Sequence, residues 1–107
     1  MLFLVISRHV PAIAPIRPQE ELATIKAGLE MWAKHPKVKA FYGFAGEPAA
    51  CALVETDTAE ELHRYVTINP AFGFSTIEVH ALLDGEQELT IMEEQRRALA
   101  EIGPTIS

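Results

Sequence analysis

Residues Ala49 to Leu83 read AACALVETDTAEELHRYVTINPAFGFSTIEVHALL, and this stretch decides the fold. It opens with a short apolar run, Ala49–Glu55, which is typical of a buried strand. Thr58 is followed three residues later by Glu61, a spacing in which the two side chains cap the first turn of a helix. This capping box predicts a helix over Ala59–Ile68.

The second half of the stretch reverses the chain and adds another strand. Asn69-Pro70 ends the helix, because the residue before a proline is pushed out of the helical conformation. The aromatic segment Ala71–Phe74 then predicts a turn. Ser75–Leu83 alternates as a strand does, and Asp84-Gly85 ends it. The stretch as a whole predicts a strand, a helix and a strand.

An earlier half of similar layout precedes this stretch. Met1–Ser7 is almost continuously apolar, which indicates a central strand covered on both faces. Three prolines make a stiff loop of His9–Pro18. Arg17–Lys34 carries an apolar stripe at helical spacing, formed by Leu22, Ile25, Leu29 and Trp32. Val38–Phe44 favours a strand and forms a hairpin with Ala49–Glu55 across the turn Gly46-Glu47-Pro48.

The resulting order, β-α-β-β-α-β, predicts an α+β domain of the ferredoxin-like class over residues 1–83. Its four strands would form one antiparallel sheet with both helices on one face. The other face would be bare in a monomer, although apolar residues occur at both parities of the strands. A second subunit that packs sheet to sheet would cover it, so we expect a homodimer or a higher homo-oligomer.

Residues 84–107 add a C-terminal helix over Glu86–Glu101 and a tail. The acidic residues of this helix indicate a solvated face. Its thin apolar stripe consists of Leu89, Met92, Leu99 and Ile102. We expect the stripe to dock either on the domain or on a neighbouring subunit.

Composition excludes several classes of function. The 107 residues carry a net charge of −6 with scattered Lys and Arg, which disfavours nucleic-acid binding and an acidic membrane surface. The apolar N-terminus is too short for a signal peptide despite Ala12-Ile13-Ala14, and no run reaches the length of a membrane span, so we expect a cytoplasmic protein. Cys51 is the only cysteine and is interpreted as a small core residue. No phosphate-binding or zinc motif is present, so no cofactor or metal is expected.

Several short segments resemble muconolactone delta-isomerase. They are Leu2-Phe3 with Val5, Phe44-Ala45-Gly46, Leu53-Val54-Glu55, Glu61-Leu62-His63, Pro70-Ala71-Phe72 and Ile77-Glu78-Val79. The resemblance covers residues 1–83 and leaves out the C-terminal helix. It implies a dimeric α+β barrel, often assembled into larger rings. It also implies isomerisation of a small organic acid or lactone by proton transfer, without a cofactor.

The departures from that family pattern indicate a different substrate. The family carries a histidine and an arginine in its first strand, at positions that match Leu4 and Ile6 here. Its second strand is rich in Trp and Arg, whereas this chain has Val38, Tyr42 and Gly43. In the family, these histidine, arginine and tryptophan side chains would contact a carboxylate substrate. Their loss favours a diverged relative with a more apolar ligand, such as an isomerase or cyclase of a secondary-metabolite pathway.

The best candidates for acid–base chemistry lie in the last strand. Thr76, Glu78 and His80 share one face, because strand side chains alternate. Glu78 is then close enough to His80 to tune it, and His80 would move the proton. The alternative is that both lie on a partly solvated face or in a dimer contact. His9, at the end of the first strand, is the next catalytic candidate; the alternative for it is an exposed loop residue.

Other residues are candidates for substrate binding. His63 lies on the second helix, where a helix-edge histidine is the alternative, and His35 is expected to stabilise the end of the first helix. A set of aromatic residues would line a pocket between the helices and the sheet, or simply fill the core. This set consists of Trp32, Tyr42, Tyr65, Phe72 and Phe74.

These observations favour a cofactor-independent isomerase or cyclase that acts on a small, largely apolar molecule such as a lactone, an enone or a polyketide-like intermediate. Two alternatives stay open. One is a non-catalytic binding or assembly protein that carries an apolar molecule. The other is a cofactor-free monooxygenase, which rests on fold-level analogy alone.

Overall fold

The computed structural model describes residues 1–10 and 18–102. In this part of the chain the order of elements is the predicted one. The elements are β1 (Leu2–His9), α1 (Pro18–Lys34), β2 (Val38–Gly43), β3 (Ala49–Glu55), α2 (Ala59–Ile68), a 3₁₀ turn (Pro70–Phe74), β4 (Ser75–Leu82) and α3 (Gly85–Ile102). Most of the loop predicted over His9–Pro18, including Ala12-Ile13-Ala14, lies outside the described residues, as does the end of the C-terminal tail.

The four strands form one antiparallel sheet in the order β2-β3-β1-β4. β1 lies between β3 and β4, so that Leu4 is paired with Leu53 on one side and with His80 on the other. Both helix connections of the predicted motif are present. The ferredoxin-like α+β fold expected from the sequence is therefore confirmed.

The core lies between the sheet and the two helices α1 and α2. Alternate residues of β1 and β3 point into it, and Val5 and Val54 are only 1% and 2% exposed. α2 contributes Leu62 and Val66, and Trp32 of α1 packs against the same cluster. Burial of each of these aliphatic side chains contributes about 1.5–3 kcal/mol, which makes this layer the main source of stability.

The predicted cap of α2 forms with one change of partner. The Thr58 hydroxyl accepts a hydrogen bond from the Glu61 amide at 3.1 Å. The Glu61 carboxylate reaches the amide of Asp57 at 3.1 Å, one residue earlier than the usual capping-box partner. The start of α2 is nevertheless the one that the sequence indicated.

Asn69 joins α1 to the turn before β4. Its side chain is buried, donates to the carbonyl oxygen of Gly28 at 2.9 Å and accepts from the amide of Ala71 at 2.9 Å. The second bond caps the 3₁₀ turn Pro70–Phe74, which lies where the sequence predicted an aromatic turn. α1 passes so close that only a glycine fits at position 28.

α3 is a helix, as predicted, but it does not pack on its own domain. A reciprocal pair of hydrogen bonds between Asp84 and Gln87 starts it. None of its residues is buried, and the chain measures 63 × 31 × 24 Å because the helix projects from the sheet layer. Of the two expected docking surfaces, the stripe does not lie on its own domain, since within residues 1–10 and 18–102 Leu89 and Leu99 remain 68% and 64% exposed. No helix of the described chain has the length and apolar content needed to cross a membrane.

Candidate functional site

The sheet face opposite the helices, here called the open face, carries an apolar floor. Leu4 and Ile6 of β1 point to it, and their cross-strand partners in β3 are Leu53 and Cys51. All four side chains are half-buried although no helix covers them. On the other side of β1, Leu4 lies opposite His80 and Ile6 lies opposite Glu78. The floor therefore runs directly into the polar pair of β4.

Glu78 and His80 form a hydrogen-bonded pair on the open face. Nε2 of His80 lies 2.9 Å from Oε2 of Glu78, and both side chains are about half exposed, at 52% and 51%. An ionised carboxylate only accepts hydrogen bonds, so Nε2 must carry the proton and donate it. A neutral ring in this tautomer keeps Nδ1 unprotonated. Nδ1 is then the atom able to take a proton from a bound molecule.

Arg8 is the third charged member of this site. Its Nη1 lies 3.8 Å from Oε1 of Glu78, and its Nε lies 3.5 Å from Oε1 of Glu47 in the β2–β3 turn. The guanidinium also lies over the ring of Phe44, 5.8 Å from its centre. Sequence reasoning missed this residue. The alternation of side chains along β1 could have identified it, because Arg8 lies on the same face of the strand as Leu4 and Ile6.

The pair keeps Glu78 ionised. The hydrogen bond from His80 is the largest cause that lowers the pKa of the Glu78 carboxyl below its ordinary value of 4.5. The charges of His80 and Arg8 lower the pKa further, while partial removal from water acts in the opposite direction. A carboxylate that stays charged at neutral pH holds the His80 ring in place by accepting its hydrogen bond.

We expect the titration of Glu78 to report this pairing. In the wild-type chain its midpoint lies below 4.5, and in His80→Ala it moves up toward that ordinary value. Because the pKa is lowered in the folded state, the pair stabilises the fold above the unfolded-state pKa, and this stabilisation is lost as the pH falls through the folded-state value. Carboxyl chemical shifts measured by NMR between pH 2 and about 7 test it. An unchanged midpoint in His80→Ala would contradict the pairing.

The other candidate histidines do not join this site. His9 points to the helix side of the sheet, where Nδ1 lies 3.2 Å from the carbonyl oxygen of Phe74 and Nε2 lies 3.2 Å from Oε1 of Glu21. Both ring nitrogens are thus engaged in joining β1, α1 and the 3₁₀ turn. His63 is exposed on α2. The structure therefore separates His9 and His63 from His80 by placing them on the other side of the sheet.

The candidate aromatic residues do not form one pocket. Trp32 and Tyr65 border a cavity of about 60 Å³ between α1, α2 and the sheet. Trp32 and Phe72 border a second cavity of about 30 Å³. Both are far below the roughly 300 Å³ at which pockets for organic ligands begin.

The prediction that Tyr42 lies between the helices and the sheet with the other aromatic candidates is wrong. Tyr42 pairs with Cys51 and so lies on the open face, where it is 64% exposed. The backbone of Phe74 contacts the end of β1, where its carbonyl oxygen accepts a hydrogen bond from the amide of Val10 at 2.7 Å. Of the five aromatic candidates, Tyr42 shares a sheet face with His80 and Glu78. Within residues 1–10 and 18–102, no three His, Cys, Asp or Glu side chains are grouped as metal ligands.

Comparison with solved structures identifies the fold. A crystal structure of muconolactone isomerase aligns with 78% of this chain and 90% of its own, with a TM-score of 0.63 and 23% identity. The chain has the fold of muconolactone isomerase. The resemblance seen in the sequence is therefore confirmed at the level of this fold. No family model and no curated protein matches the sequence.

A second solved structure shares the muconolactone isomerase fold. It is 5-chloro-2-hydroxyhydroquinone dehydrochlorinase from Burkholderia phenoliruptrix AC1100, in complex with 2,5-dihydroxybenzoquinone. The alignment covers 81% of this chain and 98% of that chain, with a TM-score of 0.53 and 19% identity. At these identities the likeness concerns the path of the chain, and the functional argument rests on the residues of the open face.

Proposed function

We propose that this protein is a cofactor-independent isomerase or cyclase that acts by proton transfer on a small, largely apolar organic molecule. The observation that carries the proposal is the His80–Glu78 hydrogen bond at 2.9 Å, set at the edge of the apolar floor of the open face. Lactones, enones and polyketide-like intermediates match this surface, because they combine an apolar skeleton with an acidic C–H bond beside a carbonyl group.

His80 is the acid–base group in this mechanism. Nδ1 takes a proton from a carbon conjugated with the substrate carbonyl, and the electrons of the broken C–H bond move through the conjugated system to the carbonyl oxygen. The imidazolium then returns the same proton to a different carbon, and the electrons move back to form the shifted double bond. A cyclisation would use the same enolate: its carbon attacks a second carbonyl group of the molecule, the π electrons of that group move to its oxygen, and the imidazolium returns the proton to the resulting alkoxide.

Glu78 and Arg8 supply the electrostatic support. The Glu78 carboxylate stabilises the imidazolium that forms on His80. Arg8 brings a positive charge to the same face and opposes the build-up of negative charge on an enolate oxygen. Leu4, Ile6 and Leu53 hold the apolar part of the substrate. No step of this scheme calls for an oxidant or a cofactor.

A second copy of the chain would complete the site. The pair is about half exposed in one protomer, and water weakens charge–charge interactions severalfold relative to a protein interior. Two open faces packed against each other would enclose the floor and exclude water. The structural neighbours support the class of chemistry, because one is named for the isomerisation of a lactone and the other for a reaction of a small hydroxylated ring.

Proton exchange in D₂O tests the proposal even where the product has not been identified. The purified protein is incubated with a panel of lactones, enones and short polyketide-like acids, and deuterium uptake is followed by NMR and mass spectrometry. We expect deuterium at carbons next to the carbonyl, faster than in a protein-free control. Binding without exchange would favour a carrier, and substrate-dependent oxygen consumption would favour a monooxygenase; either result contradicts the proposal.

A further inference from the structure

Arg8 gives the open face a group that is able to recognise an anion. The planar guanidinium of arginine pairs readily with carboxylates, because two of its N–H groups can point in parallel at the two oxygens. A substrate that carries a carboxylate would therefore compete for Arg8 with the groups that already surround it. The outcome of this competition decides whether the site takes charged or uncharged molecules.

Two carboxylates of the chain already surround the guanidinium. Nε lies 3.5 Å from Oε1 of Glu47, and Nη1 lies 3.8 Å from Oε1 of Glu78. The planar group also lies over the ring of Phe44, 5.8 Å from its centre. A substrate carboxylate would have to approach Arg8 beside two groups that carry the same charge as itself.

The backbone of the β2–β3 turn fixes the position of Glu47. The carbonyl oxygen of Glu47 accepts a hydrogen bond from the amide of Ala49 at 2.9 Å. Gly46, one residue earlier, has a φ of 87°, a conformation that glycine adopts most readily. The amide of His9 donates to the carbonyl oxygen of Pro48 at 2.9 Å and so joins the turn to the end of β1. The fold therefore places this carboxylate beside the arginine before any ligand binds.

The charged groups of the site sum to −1 before a substrate binds. Arg8 contributes one positive charge, Glu47 and Glu78 contribute one negative charge each, and His80 is neutral in the tautomer that its hydrogen bond requires. When His80 takes a proton from an uncharged molecule, these groups sum to zero and the enolate carries the single negative charge. An acid would bring a second negative charge to the same face, so the electrostatics favour an uncharged substrate.

We propose that Glu47 is a specificity-determining residue, which competes for the charge of Arg8 and so restricts the open face to uncharged carbonyl compounds. Lactones, esters and enones meet this condition, whereas a carboxylic acid is ionised and is repelled by a carboxylate that the turn holds in place. The inference rests on the function proposed above, because it concerns the substrate of the same site. Glu47 itself takes no part in the proton transfer.

Benzoate and methyl benzoate test this selection by charge. They share a ring, differ in charge and carry no acidic C–H bond beside a carbonyl group, so their binding is independent of proton transfer. We expect wild type to bind the ester more tightly than benzoate. Glu47→Gln should raise the affinity for benzoate by about 5-fold, the upper range for an exposed ion pair, and leave the affinity for the ester unchanged. Amide shifts of β1 and β4, followed by NMR, give both dissociation constants.

Glu30→Gln is the matched control. It removes the same charge from a half-exposed carboxylate of α1, which pairs with Lys26 at 3.6 Å, and should leave both dissociation constants unchanged. Adding Arg8→Met to Glu47→Gln should abolish the gain, because the released guanidinium is then absent. Glu47→Gln without a gain in benzoate binding would overturn the proposal, as would wild-type protein that binds benzoate more tightly than the ester.

The D₂O exchange assay separates this inference from the proposed function. We expect the acids of the panel to exchange faster in Glu47→Gln than in wild type, through a lower KM. If benzoate binding responds to Glu47→Gln but no compound exchanges, the proposed function fails and the selection by charge stands. If uncharged compounds exchange but benzoate binding does not respond, the selection by charge fails and the proposed function stands.

Discussion

His80→Ala is expected to lower the rate of substrate proton exchange by about 10²–10⁴-fold, the range that a positioned acid–base group contributes. The alanine removes the imidazole ring that lies next to Glu78 on the open face of the described chain. The fold should persist, because His80 is 52% exposed and no core contact depends on it. The D₂O exchange assay gives the rate, and circular dichroism and sedimentation check the fold and the assembly.

Glu78→Gln separates the role of Glu78 from that of His80. The glutamine still occupies the position but no longer offers a charged acceptor to the His80 ring, so we expect a loss of about 10–100-fold, smaller than in His80→Ala. His63→Ala, on the far side of the sheet, is the matched histidine control and should retain full activity. Undiminished exchange in His80→Ala would rule out the proposed role.

The elements that local rules determine could be predicted from the sequence. The Thr58 cap and Asn69-Pro70 fix the two ends of α2, and both ends lie where those signals placed them. Alternation along β4 was sufficient to place Glu78 and His80 together, because two residues of one strand keep their relation whatever the strand pairs with. The β-α-β-β-α-β sequence of elements was sufficient to predict one antiparallel sheet of four strands.

The features that depend on the register between strands, or on contacts between distant segments, could not be predicted from the sequence. The pairing of β2 with β3 shifts between Val38 and Ala40. Simple alternation places Val38 and Tyr42 on one face, but the shift leaves Val38 against the core and turns Tyr42 to the open face. Arg8 was missed for a related reason, since its partners Glu47 and Glu78 come from a distant turn and a distant strand. The partner of α3 is not specified by its stripe, which describes only one side of a contact.

Gly28→Ala is expected to destabilise the fold by about 3 kcal/mol, through overpacking and the loss of buried hydrogen bonds. A Cβ atom at this position would overlap Oδ1 of Asn69 and would lie 2.8 Å from Cβ of Ala71. α1 would have to move away from the turn, which breaks the bond from Asn69 to the Gly28 carbonyl oxygen. Urea unfolding followed by circular dichroism at fixed protein concentration measures the change.

The sign of the change in the free energy of unfolding of Gly28→Ala shows whether the tertiary contact with Asn69 or the local helix propensity dominates at this position. In an exposed helix, alanine is more stable than glycine by about 1 kcal/mol, so propensity alone predicts that Gly28→Ala stabilises the protein. Gly73→Ala is the matched control, because a Cβ there meets nothing within 4 Å, and we expect a change below about 0.5 kcal/mol. A stabilised Gly28→Ala variant would mean that α1 does not lie against Asn69. The 3₁₀ turn would then lose its anchor, and the position of β4, which carries Glu78 and His80, would no longer be fixed by that contact.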